Sequence, residues 1–180
     1  MGQVLEVNFE YDTPTALSAL GEANGYQHLY VEGKGKAGSG NTKFSWMDNG
    51  RFYTLTSATG ADDQLLFTRM GANDPEFNLR RDPVFMIRRT ETGGTTFASI
   101  VEAHGSYSPV IELAVNSRSN VAELKIVHDD ADYTAVSVQA LDGRESVFIV
   151  SNSDASESTQ HRLETGGKVM EWTGPFHYSE

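Results

Sequence analysis

Cysteine is absent from the 180-residue chain, so disulfides and thiol chemistry are excluded. Positive charge is scarce, since 14 Lys and Arg residues face 25 Asp and Glu residues and the net charge is −11. A chain of that charge repels phosphates, so we expect no nucleic-acid partner. No apolar run approaches the ~18 residues of a membrane helix, so we expect no membrane span. The first residues, MGQVLEVNFEYD, also lack the basic and apolar regions of a signal peptide.

Metal-ligand spacing is missing as well. The 5 histidines never occur as H-x-H, H-x-x-x-H or H-E-x-x-H, the spacings that direct two imidazoles at one ion. We therefore predict no metal site and no cofactor. The run HDDAD at 128–132 offers oxygen ligands that suit calcium, but it lacks the glycine and the distal glutamate of an EF-hand loop. We interpret this run as a solvated acidic turn between two strands.

The chain does contain many short runs of β-branched and aromatic residues, separated by turn signals. Four glycine-containing turns predict hairpins, at 48–50, 92–94, 142–143 and 166–167. The run GKGKAGSG at 33–40 predicts a flexible loop, and residues 13–22 predict at most one short helix. We therefore predict an all-β fold, an antiparallel two-sheet β-sandwich of about a dozen short strands with little or no helix. No linker divides the chain, so one domain is expected over residues 1–180.

Tyrosine and histidine recur at alternate positions in two predicted strands. Tyr26, His28 and Tyr30 are spaced by two, so they share one face of a strand. Glu102 and His104 share a face in the same way. Tyr and His beside a carboxylate can carry out proton abstraction. An aromatic stripe on a strand is more often a face that covers a core, and contact with carbohydrate is a further interpretation.

Two arginine pairs stand out in a chain with so little positive charge. Arg80 and Arg81 form the first pair, and the second lies at 88–89. A guanidinium can grip the carboxylate of an acidic sugar through two hydrogen bonds. The alternative is local ion pairing, for which the nearby carboxylates are Asp74, Glu76 and Asp82. The candidate substrate-binding residues are therefore Tyr26, His28, Tyr30, Arg80, Arg81 and His104.

Four segments in order resemble a known family. They are YQHLYV at 26–31, NGRFYTLT at 49–56, TRMGANDPEFNLRRDP at 68–83 and VEAHG at 101–105. Together they resemble the C-terminal end of the oligoalginate lyases of polysaccharide lyase family 17, in the heparinase II/III-like group. The resemblance covers about residues 3–176, which would be the core of the domain, and the family's enzymes are about four times longer.

The resemblance does not extend to the residues that carry out the family's reaction. Similar proteins join an α/α toroid to a β-sandwich and cleave uronic-acid polymers by β-elimination. Their Asn-His pair and catalytic Tyr lie in the toroid, and a further Tyr and a zinc site lie near H-x-H-x-D and A-H-N motifs. Neither motif occurs in this sequence, so no catalytic residue and no metal ligand is assigned.

The expected function follows from that comparison. The resemblance implies the C-terminal β-sandwich of an alginate or oligoalginate lyase, which supports the upstream α/α toroid of the same polypeptide and is inactive alone. It also implies a periplasmic or secreted protein that meets an acidic polysaccharide such as alginate. One alternative is a glycan-binding module for acidic polysaccharide, and a second alternative is an autonomous lyase.

Overall fold

The computed structural model describes residues 10–11, 29–70, 82–90 and 93–180. Within these ranges the chain is strand and loop without helix, so the predicted all-β fold is confirmed. None of the described segments is a helix that could cross a membrane. The strands are β1 (Glu10–Tyr11), β2 (Leu29–Lys36), β3 (Gly40–Asp48), β4 (Arg51–Thr59), β5 (Gln64–Met70), β6 (Asp82–Arg88), β7 (Ser99–Ser108), β8 (Leu113–Val115), β9 (Val121–Asp129), β10 (Tyr133–Ala140), β11 (Glu145–Ser151), β12 (Gln160–Thr165), β13 (Lys168–Thr173) and β14 (Phe176–Ser179).

The chain divides into two compact units. The first unit contains Met1–Ser39 and Thr59–Gly93, and the second contains Gly40–Ala58 and Gly94–Glu180. A single domain over residues 1–180 therefore stays a prediction. The predicted short helix at 13–22 and all of residues 71–81, between β5 and β6, lie outside the described residues.

The first unit contains an antiparallel sheet in the order β1-β2-β5-β6. Leu65 and Leu66 in β5 are both buried, and since successive side chains point to opposite faces, both faces of β5 are covered. The loop predicted at 33–40 is wrong for its first half, because Gly33–Lys36 belongs to β2. Gly33 is buried while the lysines of that stretch are exposed, so buried and exposed positions alternate as in a strand. The sequence does not reveal this alternation, because the buried position is a glycine and not an apolar side chain.

The second unit contains three antiparallel sheets. Their strand orders are β14-β11-β10-β9, β12-β13 and β3-β4-β7-β8. Ala135, Val147 and Ile149 project from β10 and β11 and pack with Leu163 and Trp172 from the β12-β13 hairpin. Two sheets that bury their facing side chains in this way make a sandwich-like arrangement.

Three of the four predicted hairpins are confirmed. They join β3 to β4, β10 to β11, and β12 to β13. The hairpin predicted at 92–94 is wrong, because β6 pairs with β5 while β7 pairs with β4. A glycine pair permits a tight reversal, but it does not choose the strand that follows as the partner.

Side chains of β3 connect it to β9, and Asn41 makes two of these contacts. The Asn41 amide donates to Leu124 O at 2.7 Å, and Leu124 N donates to Asn41 Oδ1 at 2.9 Å. The side-chain amide thus takes the place of a peptide group in a strand ladder. Lys43 Nζ adds a hydrogen bond to Val121 O, so the first residues of β3 and β9 are held together.

Candidate functional site

An open groove of about 670 Å³ lies in the second unit. We call it the β7 groove, because Glu102, His104 and Gly105 of β7 form one side of it. The polar run Asn116-Ser117-Arg118-Ser119-Asn120 and Leu141 form the rest. The groove therefore combines a predicted site residue with a segment that carries amide, hydroxyl and guanidinium groups.

His104 is the predicted binding residue that the structure places in this groove. His104 is 9 % exposed, and its ring stacks on Phe52 with ring centres 6.2 Å apart. His104 Nδ1 lies 2.8 Å from Asn116 O, and Nε2 lies 2.9 Å from Thr54 Oγ1. Because a carbonyl only accepts, Nδ1 donates, and Nε2 of the neutral ring accepts from the Thr54 hydroxyl. Both ring nitrogens are engaged, which favours a positioning role over that of a base.

Glu102 fixes the polar run from the other side. Its Oε2 accepts from Ser119 Oγ at 2.6 Å, and both carboxylate oxygens accept from Asn120 N, at 3.0 and 3.1 Å. Lys43 lies close enough to interact with the same carboxylate. Burial lowers the pKa of the Lys43 ammonium, and the charge of Glu102 acts in the opposite direction.

Replacing Glu102 with glutamine is expected to lower the free energy of unfolding by about 1–2 kcal/mol, because charged hydrogen bonds to Ser119 and Asn120 become neutral ones. Urea unfolding followed by tryptophan fluorescence measures the loss. Glu171→Gln is the control, since Glu171 is 72 % exposed and its contact with Arg162 is 3.6 Å long. That control should change stability by less than about 0.5 kcal/mol. Equal losses for the two variants would show that Glu102 does not hold the groove.

Most of the other predicted site residues lie outside the described part of the chain. Tyr26, His28, Arg80 and Arg81 are among the residues that the structure does not describe. Tyr30 lies in β2 opposite Arg69 of β5, and only its backbone is described. A shared site for the predicted residues therefore stays a prediction.

An ion pair in the first unit gives one arginine a structural role. Arg89 donates from Nε to Asp63 Oδ1 and from a terminal nitrogen to Oδ2, both at 2.7 Å. Asp63 is 2 % exposed, and its Oδ2 also accepts from Gly60 N at 2.9 Å. The hydrogen bond from Arg89 holds the pKa of the Asp63 carboxyl below its usual value, against the opposing effect of burial. Sequence inspection noted the arginine pair at 88–89 but missed this partner.

The acidic run at 128–132 comprises the last two residues of β9 and the turn that leads to β10. Asp130 Oδ1 accepts from the backbone nitrogens of Tyr133 and Asp132, each at 2.8 Å, and Oδ2 contacts His128 Nε2 at 2.8 Å. These hydrogen bonds lower the pKa of the exposed Asp130 carboxyl, and the bond from the Tyr133 backbone has the largest effect. Across the described ranges, no group of three or more His, Asp or Glu residues is placed to hold a metal ion.

Comparisons with known proteins agree with the motifs. No protein-family model matches the chain. The chain is 33 % identical over 174 residues to an alginate lyase of Stenotrophomonas maltophilia (strain K279a), covering 96 % of the chain and 23 % of that protein. It is 31 % identical over 177 residues to an exo-oligoalginate lyase of Saccharophagus degradans (strain 2-40), covering 96 % of the chain and 24 % of that protein.

The chain thus spans about a quarter of the length of the curated relatives that it matches. A match that covers nearly the whole chain but only about a quarter of each relative is consistent with a C-terminal part of such a protein. The resemblance to oligoalginate lyases predicted from the motifs is confirmed: in sequence, this chain is similar to one part of the alginate lyases.

Proposed function

We propose that the chain is the C-terminal β-sandwich part of an alginate-lyase-like enzyme, which acts on uronic-acid polymers by β-elimination. In this proposal the chain supports an upstream α/α-toroid catalytic part and is inactive alone. The observation that carries it is the match of 96 % of the chain to only 23 % and 24 % of two proteins named alginate lyase and exo-oligoalginate lyase. A periplasmic or secreted location is part of the same proposal.

The chemistry of the β7 groove supports the absence of turnover. Abstraction of a proton beside a carboxylate needs a placed base and a group that stabilises the developing charge. Both nitrogens of His104 have hydrogen-bond partners within the fold, and so do both carboxylate oxygens of Glu102. Either group would have to give up structural hydrogen bonds before it could act on a substrate.

The isolated chain is expected to produce no unsaturated sugar from alginate or oligoalginate. β-Elimination leaves a conjugated, ultraviolet-absorbing end, so absorbance measures turnover directly. The matched control is His104→Ala purified in the same way, which reports any contaminating lyase. Absorbance that grows with the purified chain and disappears in His104→Ala, His28→Ala or Tyr30→Phe would make the chain an autonomous lyase.

The alternative is a glycan-binding module, and the composition of the β7 groove favours it. Arg118 lies there among Asn116, Ser117 and Asn120. A guanidinium can bind a uronate carboxylate through two hydrogen bonds, and amides and hydroxyls suit sugar hydroxyls. Titration with alginate oligomers tests this alternative. Saturable binding that Arg118→Ala abolishes and the exposed control Arg162→Ala retains would establish it.

A further inference from the structure

The sheet β3-β4-β7-β8 buries polar side chains on one face. Thr54 pairs with Glu102 across β4 and β7, and opposite residues of an antiparallel ladder share a face. His104 and Thr56 share that face, because they are two residues away from Glu102 and Thr54. Thr54 and Thr56 are each 1 % exposed, and His104 is 9 % exposed. This face therefore buries three polar side chains, beside the half-buried Phe52 and Ile100.

The opposite face of the same sheet is buried at Phe44 and Ser57, but it carries a group of exposed apolar side chains nearby. Val101 is 61 % exposed, and Trp46 is 36 % exposed and stacks on Tyr53 with ring centres 5.6 Å apart. Leu113 and Val115 of β8 are 52 % and 48 % exposed. We call the surface formed by these five residues the apolar face.

The strand register continues the apolar face across the sheet. Ser106 of β7 pairs with Arg51 on one side and with Val115 on the other. Arg51 is two residues from Tyr53, so Val115 lies on the Tyr53 side of the sheet, and Leu113 follows two residues away. Val110 and Ile111, in the turn between β7 and β8, are 89 % and 67 % exposed and extend the apolar surface.

The five residues of the apolar face depart from the pattern of a solvated antiparallel sheet, which turns its apolar side chains to the core and its polar side chains to water. Contiguous exposed apolar surface in a soluble protein marks a place where another surface binds. The apolar face is therefore expected to be covered in the working protein.

The net charge of the chain and the length of its relatives indicate which surface covers the apolar face. A second copy of the chain would bring together two molecules of net charge −11, and that repulsion opposes self-association. The five residues of the apolar face carry no positive charge for an acidic polysaccharide, although the register places Arg51 beside them. The relatives, by contrast, contain about three quarters of their length beyond the part matched by this chain.

We infer that the apolar face docks against the remaining part of a longer polypeptide, through an apolar surface of that part. The inference rests on the proposed function, because it requires a longer polypeptide. It goes further by assigning the contact to β3, β4, β7 and β8, and it leaves the β7 groove on the other face of the sheet.

The lack of cysteine allows a direct test. Val101→Cys introduces a thiol into the apolar face, and Val169→Cys is the matched control, because Val169 is 50 % exposed in the β12-β13 hairpin. Each variant is made in the 180-residue chain and in the longer polypeptide encoded by its gene. The rate of alkylation at each position is followed by peptide mass spectrometry, and circular dichroism confirms that the variants fold.

In the isolated chain, the two thiols are expected to react at similar rates. In the longer polypeptide, alkylation at position 101 is expected to slow by about tenfold or more, since a docked interface opens only rarely, while position 169 is unchanged. Equal rates at position 101 in both proteins would overturn the inference and leave the proposed function to the turnover assay. Protection in the isolated chain that grows with concentration would assign the face to a second copy. A gene that encodes no further domain would overturn the inference and the proposed function together.

Discussion

Replacing Gly105 with alanine is expected to destabilise the second unit by about 3 kcal/mol or more, an overpacking effect added to backbone strain. Gly105 has a φ of +52°, which L-residues rarely adopt. A Cβ at this position would lie 2.1 Å from Asn116 O and 2.2 Å from Val115 O. Both atoms belong to the backbone, so β8 would have to move away from β7, and His104 would lose its acceptor on Asn116.

The variant Gly166→Ala separates backbone strain from overpacking. Gly166 has a similar φ of +58°, but no atom lies within 4 Å of the position of its Cβ. In this control the free energy of unfolding should fall only by the cost of the left-handed conformation, about 1–2 kcal/mol. Urea unfolding followed by tryptophan fluorescence suits the comparison, because Trp46 and Trp172 both lie in the second unit. Equal losses in the two variants would mean that the close approach of β8 is not as described.

Breaking the Asp63–Arg89 ion pair is expected to have the other large effect. Asp63 is 2 % exposed and the Arg89 side chain is 16 % exposed, so Arg89→Met leaves a buried carboxylate without its counter-charge. Loss of one partner of a buried pair costs about 3–5 kcal/mol. Arg144→Met is the control, because Arg144 and Asp142 are 72 % and 49 % exposed, and it should cost less than about 1 kcal/mol. Circular dichroism during urea unfolding reports on both units.

The same ion pair predicts a dependence of stability on pH. The hydrogen bond from Arg89 lowers the pKa of Asp63 in the folded state, so the folded state binds fewer protons there than the unfolded state. The contribution of the pair is complete above the unfolded pKa, about 3.9, and is lost as the pH falls through the folded value. The difference between the wild type and Arg89→Met should therefore be largest near neutral pH and shrink below about pH 4. A difference that stays constant down to that range would show that the carboxylate is not the cause.

Local sequence signals predicted the strands better than their partners. The turns at 49–50 and 166–167 are glycine-containing reversals with positive φ, and the strands beside them do pair. The residues at 92–94 carry the same sequence signal, yet the strands before and after them, β6 and β7, belong to different sheets. Pairing is decided by burial of whole faces, which a turn of two or three residues does not encode.

The site was less predictable than the fold for a similar reason. The i, i+2 spacing of Glu102 and His104 correctly placed both on one face, but their environment comes from elsewhere in the chain. His104 contacts Thr54, 50 residues before it, and Asn116, 12 residues after it. The requirement for glycine at position 105 likewise arises from the backbone of β8, so no local pattern in β7 announces it.

The central claim is that this chain supports a catalytic part located elsewhere in a longer polypeptide. The most direct measurement compares the rate of unsaturated-sugar formation by the whole gene product with that of the same product lacking these 180 residues. Removal is expected to lower the rate by about tenfold or more, because small misplacements of catalytic groups are costly. Full activity and unchanged heat resistance after removal would contradict the account.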